Sequence, residues 1–452
     1  MIRIRSLICA LLALVVLPLV GAGQDKKPRL TIQEAVKMAL ERNPEMFIAQ
    51  AEMDELKGKI TEVRSGAFPQ VSFQGYGLRL RDPSILNSSS FDKVPQEFRD
   101  ALDPIPSNMF NFGVEVKQPV YTAGKVRTAL RLAKESLEEK AAAREAVRQQ
   151  LTFKVFQAFN TMLLMDANRQ VIQETRRQRL KQLELARNRF KDGVATEIDV
   201  LRSEVNVANT EPELIRAENR VQLARARINN LIVVNLDSPT EIEGALEYRP
   251  WNAGSLEDIQ KRALELRPEL AVARRQMQEA RLTLSLANAE NKLTVDMSAA
   301  YGYTVREPKN LFNTDFTTWN VSLNFKIPFF DSGRKSGLVS QAQSRLNAAE
   351  QRLAQLENDV HLEVQQAYDD MRSAEKAIAV ATLSVNQAER VLTMMQANYQ
   401  YGVATTLDVV DSQTAVVEAR NNDIYAKYDY EMSKARLRLA SGGSILDGEV
   451  NQ

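Results

Sequence analysis

Two long stretches without helix breakers constrain this 452-residue chain more than any other feature of its sequence. Residues 123–190 contain no proline and, after Gly124, no glycine, and strong helix formers such as Ala, Leu, Glu, Arg and Lys dominate them. Residues 332–399 repeat the pattern, with glycine only near their start. The sequence therefore predicts two single helices, each about 100 Å long.

Each long stretch is followed by a turn and a second helical stretch. The turns contain Gly193 and Gly402, and glycine is the usual residue just past the end of a helix. The returning stretches cover residues 197–232 and 406–440, so each half of the chain predicts an antiparallel helical hairpin. Pro212 lies inside the first returning stretch and is predicted to interrupt it.

The two halves of the chain are copies of one another. Residues 193–196 recur as residues 402–405, an offset of 209, whereas residues 39–45 match residues 263–269 at an offset of 224. The first copy therefore carries 15 extra residues ahead of its long helix. Such self-similarity predicts two structural units of about 200 residues each.

Short segments of alternating polarity precede each long helix. Alternation of apolar and polar residues predicts strands with one apolar and one polar face, here at residues 68–80, 110–118, 293–304 and 317–327. The first segment alternates less cleanly, and its alternation shifts phase near Gly75-Tyr76-Gly77. Segments of about ten residues with aromatic residues near their ends are typical of membrane barrels, although a half-buried sheet of a soluble protein has the same pattern. The polar loops at 81–109 and 305–316 are predicted to be exposed, with the extra residues in the first loop.

Four strands are too few to close a barrel, because small closed barrels need about eight or more. An open sheet in lipid would leave the backbone groups of its edge strands unpaired. Three chains would supply a closed barrel of twelve strands, and the periodicity alone leaves other closed multimers open. The strand pattern therefore predicts an oligomer.

The first 23 residues have the pattern of a secretory signal peptide. Arg3 and Arg5 precede an apolar run from Leu7 to Val20, and the small residues at 21–23 suit processing. The run of about 14 residues is short for a membrane span of about 20, which argues against a signal anchor. No later run of about 18 apolar residues follows, so we expect the exported chain to enter a membrane only through its strands.

The composition excludes several classes of function. The chain has 59 basic and 58 acidic residues, which does not match the basic footprint of a nucleic-acid-binding protein. Cys9 lies in the predicted leader and His361 is the only histidine, so thiolate zinc sites, cysteine nucleophiles and multi-histidine metal sites are disfavoured. We predict no metal, no cofactor, no catalytic residues and no nucleic-acid partner, and only an enzyme that relies on carboxylates alone remains open.

Several short motifs occur along the chain. They are the opening segment at 30–35 with Asn43-Pro44, the strand-to-helix transitions at 121–125 and 330–334, and the two Gly-Val-Ala-Thr-x-x-Asp-Val turns. Together they resemble the motifs of the TolC family of outer-membrane efflux proteins. Each motif alone is weak, but they occur in order and twice, and the resemblance covers residues 28–442. It implies a homotrimer with a twelve-stranded outer-membrane barrel and a long periplasmic barrel of helical hairpins. It also implies a passive exit duct that contacts a periplasmic adaptor protein, an inner-membrane pump of the RND or ABC type, and outer-membrane lipid.

The resemblance also points to candidate gate residues. Asp408 and Asp411 follow the second turn three residues apart, and so lie on one helix face. In the family, acidic residues at these matching positions surround a closed periplasmic entrance. Carboxylates about 6 Å apart repel by about 0.7 kcal/mol per pair even in water, so a ring of six from three chains would attract cations and raise its own pKa values. Without the resemblance, the two residues are read as solvated acids.

The first turn differs from the second. Asp199 is common to both copies, but Arg202 stands where the second copy has its further aspartate. We expect Arg202 to pair with Asp199 along their helix or to reach an acid of a neighbouring chain. In the family, a polar link between the hairpins helps to hold the entrance shut. Asp199 and Tyr399 match positions of that link, whereas the arginine often found two residues after the second-turn glycine is Ala404 here.

The turn residues themselves match the positions that the adaptor contacts in the family, and the simple alternative is that they form tight turns. They are Gly193, Val194 and Ala195 in the first turn and Gly402, Val403, Ala404 and Thr405 in the second.

These observations predict a mainly α-helical protein with a membrane β-barrel portion, which acts as an outer-membrane channel subunit and not as an enzyme. Its predicted parts are a signal peptide at 1–23, a first repeat at 24–240, a second repeat at 241–442 and a C-terminal tail at 443–452. The main alternative is a periplasmic coiled-coil scaffold or adaptor without a barrel, and the alternating segments count against it. An enzyme would need a compact pocket that such long helices do not offer.

Overall fold

A computed structural model describes residues 29–80, 93, 95, 97, 98 and 107–446 of the chain. The predicted signal peptide at 1–23, most of the predicted loop at 81–109 and the end of the predicted tail, residues 447–452, lie outside the described residues. Helices make up most of the described chain, together with one four-stranded sheet. No helix in the described ranges combines the length and the apolar character needed to cross a membrane.

The two repeats have the same order of elements. The first contains α1 (Ile32–Arg42), α2 (Pro44–Ser65), β1 (Gln70–Leu80), β2 (Ser107–Tyr121), α3 (Lys125–Lys191) and α4 (Glu197–Leu231). The second contains α5 (Leu256–Leu266), α6 (Pro268–Asn288), β3 (Thr294–Val305), β4 (Thr317–Lys326), α7 (Arg334–Gln400) and α8 (Thr406–Ala440). The long helices α3 and α7 have 67 residues each, and all four helices of the two hairpins begin and end within two residues of the predicted positions.

The repeats differ in the connection between their strands. There are 26 residues between β1 and β2 but 11 between β3 and β4, a difference of 15. This difference equals the number of extra residues that the sequence predicted for the first loop.

Helix α4 continues through Pro212, so the predicted interruption is wrong. A contact from α3 supports the turn that precedes the proline. The Arg179 guanidinium donates hydrogen bonds to the carbonyl oxygen of Asn206 (3.1 Å) and to the hydroxyl of Thr210 (3.0 Å). These bonds come from a neighbouring helix, where sequence periodicity gives no sign of them.

The sheet is antiparallel with the order β1-β2-β3-β4. Strand β1 pairs with β2 in one continuous register from Gln70 to Leu80. Because the alternation shifts phase while the register does not, Tyr76 and Leu78 lie on the face opposite to Val71 and Phe73. Gly75 lies opposite Phe112, whose ring fills the space of the missing side chain: a Cβ at Gly75 would lie 2.7 Å from Phe112 Cδ1. The irregular alternation therefore marks the place where a glycine accommodates an aromatic ring of the next strand.

The two faces of the sheet differ in polarity. One face carries large apolar side chains that are exposed in the single chain, among them Val71, Phe73, Val114, Tyr301, Trp319, Val321, Leu323 and Phe325. The other face carries polar side chains that bond across the strands, for example Ser298 with Ser322 (2.7 Å) and Asn111 with Thr304 (3.1 Å). The apolar face is thus uncovered in the single chain.

The helices form a layer in which α3 has different neighbours along its length. Near the turns the order of contacts is α4-α3-α8-α7, whereas near the sheet α3 contacts α2 and α6, and α6 contacts α7. The apolar core lies between these regions, in two clusters around Leu151 and Val155 of α3 and around Val364 of α7 and Tyr430 of α8. Because α3 follows β2 and ends at the first turn, the sheet and the turns lie at opposite ends of the long helices.

Candidate functional site

The two hairpin turns have the same local structure. Each contains a glycine in the left-handed region, Gly193 with φ of 75° and Gly402 with φ of 78°, where other residues are strained. The returning helices then begin with a capping box, in which a threonine and the aspartate three residues later exchange hydrogen bonds between side chain and backbone. We call residues 192–196 and 401–405 the hairpin tips.

Thr405 is the N-cap of α8, and Asp408 is its partner in the capping box. The Asp408 carboxylate accepts hydrogen bonds from the backbone N–H of Thr405 (2.8 Å) and from the Thr405 hydroxyl (2.7 Å). The hydroxyl bond and then the backbone bond lower the pKa of the Asp408 carboxyl. The pKa of Asp408 is thus lowered within one chain, whereas a ring of carboxylates was expected to raise it. Asp411 lies on the next turn of α8 and is exposed like Asp408.

Asp199 caps α4 in the same way and also contacts the second hairpin. One carboxylate oxygen accepts hydrogen bonds from the N–H (3.0 Å) and the hydroxyl (2.7 Å) of Thr196, and the other accepts from the Thr406 hydroxyl (2.9 Å). These bonds, above all the one from the Thr196 hydroxyl, lower the pKa of Asp199.

The expected ion pair between Asp199 and Arg202 does not form within the described chain, where the Asp199 carboxylate accepts hydrogen bonds from Thr196 and Thr406 instead. The reason is that Asp199 turns back toward the helix N-terminus to cap it. The positive charge of Arg202 lowers the pKa of Asp199 from a distance, without a hydrogen bond. The other expectation for Arg202, an acid of a neighbouring chain, stays a prediction.

A cluster of four residues joins the two hairpins. The Thr406 hydroxyl, which bonds to Asp199, lies 3.4 Å from the Tyr399 hydroxyl. From α3, the Arg189 guanidinium donates to the backbone carbonyl oxygens of Tyr399 (2.8 Å) and Gln400 (3.2 Å) and lies 4.8 Å from the centre of the Tyr399 ring. We call Arg189, Asp199, Tyr399 and Thr406 the inter-hairpin cluster.

The sequence had placed Asp199 and Tyr399 in one link, and the structure brings them together through Thr406. It had not identified Thr406 or Arg189. A signal for Arg189 existed, because a cation in the last turn of a helix close to a tight turn can bind the carbonyl groups of a neighbouring helix end. The sequence does not show which helix end that is.

An apolar groove lies beside the inter-hairpin cluster, between the N-terminal ends of α4 and α8. Ile198, Leu201 and Val205 line one wall, and Leu407 and Val410 line the other. Arg202 and Thr406 also border the groove. The predicted tip residues Val194 and Val403 are exposed next to it.

Elsewhere in the described ranges, no group of three or more His, Cys, Asp or Glu side chains is arranged to hold a metal ion. His361 is half-buried on α7, and its carbonyl oxygen accepts a hydrogen bond from Gln260 (3.5 Å). The chemistry available at the hairpin tips is therefore that of carboxylates, hydroxyls, an arginine and an apolar groove.

Comparison with known proteins identifies relatives that match most of the chain. The family model described as outer membrane efflux protein matches residues 35–232 and 259–443. The chain is 22% identical over 418 residues to the outer membrane protein TolC of Vibrio cholerae, with 91% of this chain and 90% of that protein covered. It is 22% identical over 450 residues to the proteases secretion protein PrtF of Dickeya chrysanthemi, with 96% and 92% covered. The crystal structure of the outer membrane protein VceC from Vibrio cholerae matches with a TM-score of 0.76 at 19% identity, covering 92% of this chain and 97% of that one.

Proposed function

This chain belongs to the outer membrane efflux protein family, and from that premise we propose that it is the exit-duct subunit of a tripartite efflux or type I secretion system. The observation that carries the proposal is the family match, which includes both repeats and therefore both hairpins and all four strands. The duct lies in the outer membrane and conducts passively, with the energy supplied by the pump.

We propose that the strands form one third of a twelve-stranded barrel in a homotrimer. The exposed apolar face of the sheet suits contact with lipid, and the polar face suits a water-filled interior. Strands β1 and β4 are the edges of the sheet, and their unpaired backbone groups need partners in a bilayer. Two further copies of the chain supply those partners.

The helical layer supports the same assembly. Its edge helices near the turns are α4 and α7, and both carry exposed apolar side chains. Outside the groove, those of α4 include Ile215 and Leu223, and those of α7 include Val380, Leu383, Val391 and Met394. Packing of α4 of one copy against α7 of the next would cover these side chains and close a ring of twelve helices around a periplasmic tunnel.

We propose that Asp408 and Asp411 form the acidic periplasmic gate. Both are exposed at the start of α8, beside the hairpin tip, and three copies would bring six carboxylates around one axis. The capping bonds keep Asp408 ionised and its carboxylate in a defined position. Asp199, Arg202 and Tyr399 belong to the same entrance, where they link the hairpins or face a neighbouring copy.

The hairpin tips are the proposed contact with a periplasmic adaptor protein, which in turn joins an inner-membrane pump of the RND or ABC type. Gly193, Val194 and Ala195 and the matching residues 402–405 are accessible there, and the apolar groove between α4 and α8 lies next to them. The family description names efflux, and the relative PrtF is named for secretion of proteases, which supports such a three-part system.

Planar-bilayer recording of the detergent-purified mature protein, with the oligomer mass measured on the same sample, tests this proposal. We expect small, discrete, cation-selective conductance steps from a trimer. A water-soluble monomer without conductance would contradict the proposal and favour a periplasmic scaffold.

A further inference from the structure

Arg189 holds the end of one hairpin to the end of the other. It lies in the last turn of α3, and its guanidinium donates hydrogen bonds to the backbone carbonyl oxygens of Tyr399 and Gln400 in the last turn of α7. The last carbonyl groups of a helix carry partial negative charge, so a cation is favourable there. Hydrogen bonds from a charged donor are also stronger than those between neutral groups.

The contact is well packed as well as charged. The Arg189 guanidinium stacks on the Tyr399 ring at 4.8 Å, and Tyr399 is only 5% exposed. Stacking on an aromatic face stabilises an arginine further. Arg189 therefore fixes both the ring of Tyr399 and the backbone that carries it.

The two halves of the inter-hairpin cluster meet at Tyr399. Arg189 contacts its ring and carbonyl group, and Thr406 connects its hydroxyl with Asp199. One contact runs from α3 to α7 and the other from α8 to α4, so both cross between the two hairpins. Breaking one contact leaves the other to resist separation of the tips.

We propose that Arg189 is the positioning residue that holds the two hairpin tips of one chain together and thereby keeps the entrance closed, an inference that rests on the exit-duct function proposed above. The expected arginine two residues after the second-turn glycine is replaced by Ala404, and Arg189 supplies a guanidinium from the opposite hairpin instead. Because Arg189 binds main-chain carbonyl oxygens, it ties the path of the α7 backbone to the end of α3. The link is complete within one chain.

Arg187 provides a matched control for the test. It lies two residues before Arg189 on the same helix, but its guanidinium pairs at 2.7 Å with Glu204 of its own hairpin. Arg187→Ala therefore removes the same charge from the same helix end without touching the link between the hairpins. Arg189→Lys keeps the charge but not the planar, multidentate donor.

The experiment measures the tip separation and the conductance of each variant in the full trimer. Spin labels at Asp192→Cys and Tyr401→Cys of the mature protein, whose sequence has no other cysteine after the predicted leader, report the tip distance by pulsed electron resonance. We expect Arg189→Ala to raise the ratio of open to closed entrances about tenfold, with a longer and broader tip distance, because a charged hydrogen-bonded contact is lost. Arg189→Lys is expected to be intermediate, and Arg187→Ala to match the wild type.

Equal tip distances in Arg189→Ala and Arg187→Ala would overturn the role of Arg189. If Arg189→Ala fails to assemble, the test uses Arg189→Lys. A tip distance in Arg189→Lys equal to that of the wild type would contradict the proposal. The duct function is judged separately, by the conductance of the wild type. A wild type that does not conduct contradicts the exit duct, whereas the tip distances still decide whether Arg189 joins the hairpins.

Discussion

Replacing Asp408 and Asp411 with asparagine, separately and together, would show whether their carboxylates bind cations at the entrance. Asparagine keeps a side-chain oxygen that can accept the bonds that Thr405 now donates at 2.7 and 2.8 Å, so α8 keeps its N-terminal cap. Alanine at position 408 removes the charge together with both bonds that Thr405 donates to the carboxylate, so half of the capping box is lost while Thr405 remains the N-cap. The comparison of asparagine with alanine therefore separates the two roles of Asp408.

The expected change in cation binding follows from Coulomb's law. A trivalent cation about 6 Å from one carboxylate is attracted by about 2 kcal/mol in water, and screening at 0.1 M salt reduces this to about 1 kcal/mol. Each lost carboxylate therefore weakens binding about fivefold. A single substitution removes three carboxylates from the trimer, so block by the cation should weaken at least tenfold.

Single-channel recording with increasing lanthanum concentrations measures this block directly. The control is Glu418→Gln, which removes an exposed carboxylate from the same helix at a distance from the turn. We expect the control to match the wild type and the double asparagine variant to conduct more and to resist block. Equal block in all three proteins would refute the acidic gate and leave the fold intact.

Three further changes test the cluster and the sheet. Thr406→Val removes the hydroxyl bonded to Asp199 at the same side-chain volume, and we expect about tenfold faster proteolysis at the tips, whereas an unchanged rate would contradict the link. The pKa of Asp199 is lowered in the folded chain, so its bonds are present above about pH 4 and lost only as the pH falls through the lowered pKa. A spin-label tip distance that is constant from pH 7 to 5 is expected, and lengthening already at pH 6 would be evidence against this assignment. Gly75→Ala should reduce the yield of trimer in detergent, because its Cβ would meet the Phe112 ring at 2.7 Å. The control Gly58→Ala, which has open space around its Cβ, should not reduce the yield. Equal yields would contradict the ring contact.

The long helices could be predicted from the sequence because helix formation depends on residues close together in the chain. The absence of proline and internal glycine located α3 and α7, and the turn glycines located their ends. The same reasoning failed at Pro212, where a hydrogen-bonding arginine from a neighbouring helix supports the turn. The same reasoning did not locate the shorter helices α1, α2, α5 and α6. These helices are recognised by their packing on α3 and α7, which the sequence does not show.

The sheet was predicted in outline. Alternating polarity located four strands and their two faces, since side chains of a strand point to opposite sides in turn. The continuous register of β1 could not be read from the sequence, because Gly75 disturbs the alternation and the ring that fills its place comes from Phe112 on another strand.

In the candidate site, too, local contacts could be predicted from the sequence and long-range contacts could not. The capping function of Asp199 and Asp408 is local and is encoded by a threonine three residues before each of them. By contrast, Arg189 and Tyr399 are 210 residues apart, and only the packing of α3 beside α8, which pairs with α7, brings them into contact.

By itself, then, the sequence determined the two-fold repeat, the hairpins, the strands and the tight turns, because each of these follows from periodicity or from the conformational preferences of neighbouring residues. Only the tertiary structure decided the order of the helices, the register of the sheet and the partners of Arg189 and Thr406. Those depend on which surfaces pack against each other, and packing joins residues that the chain keeps far apart.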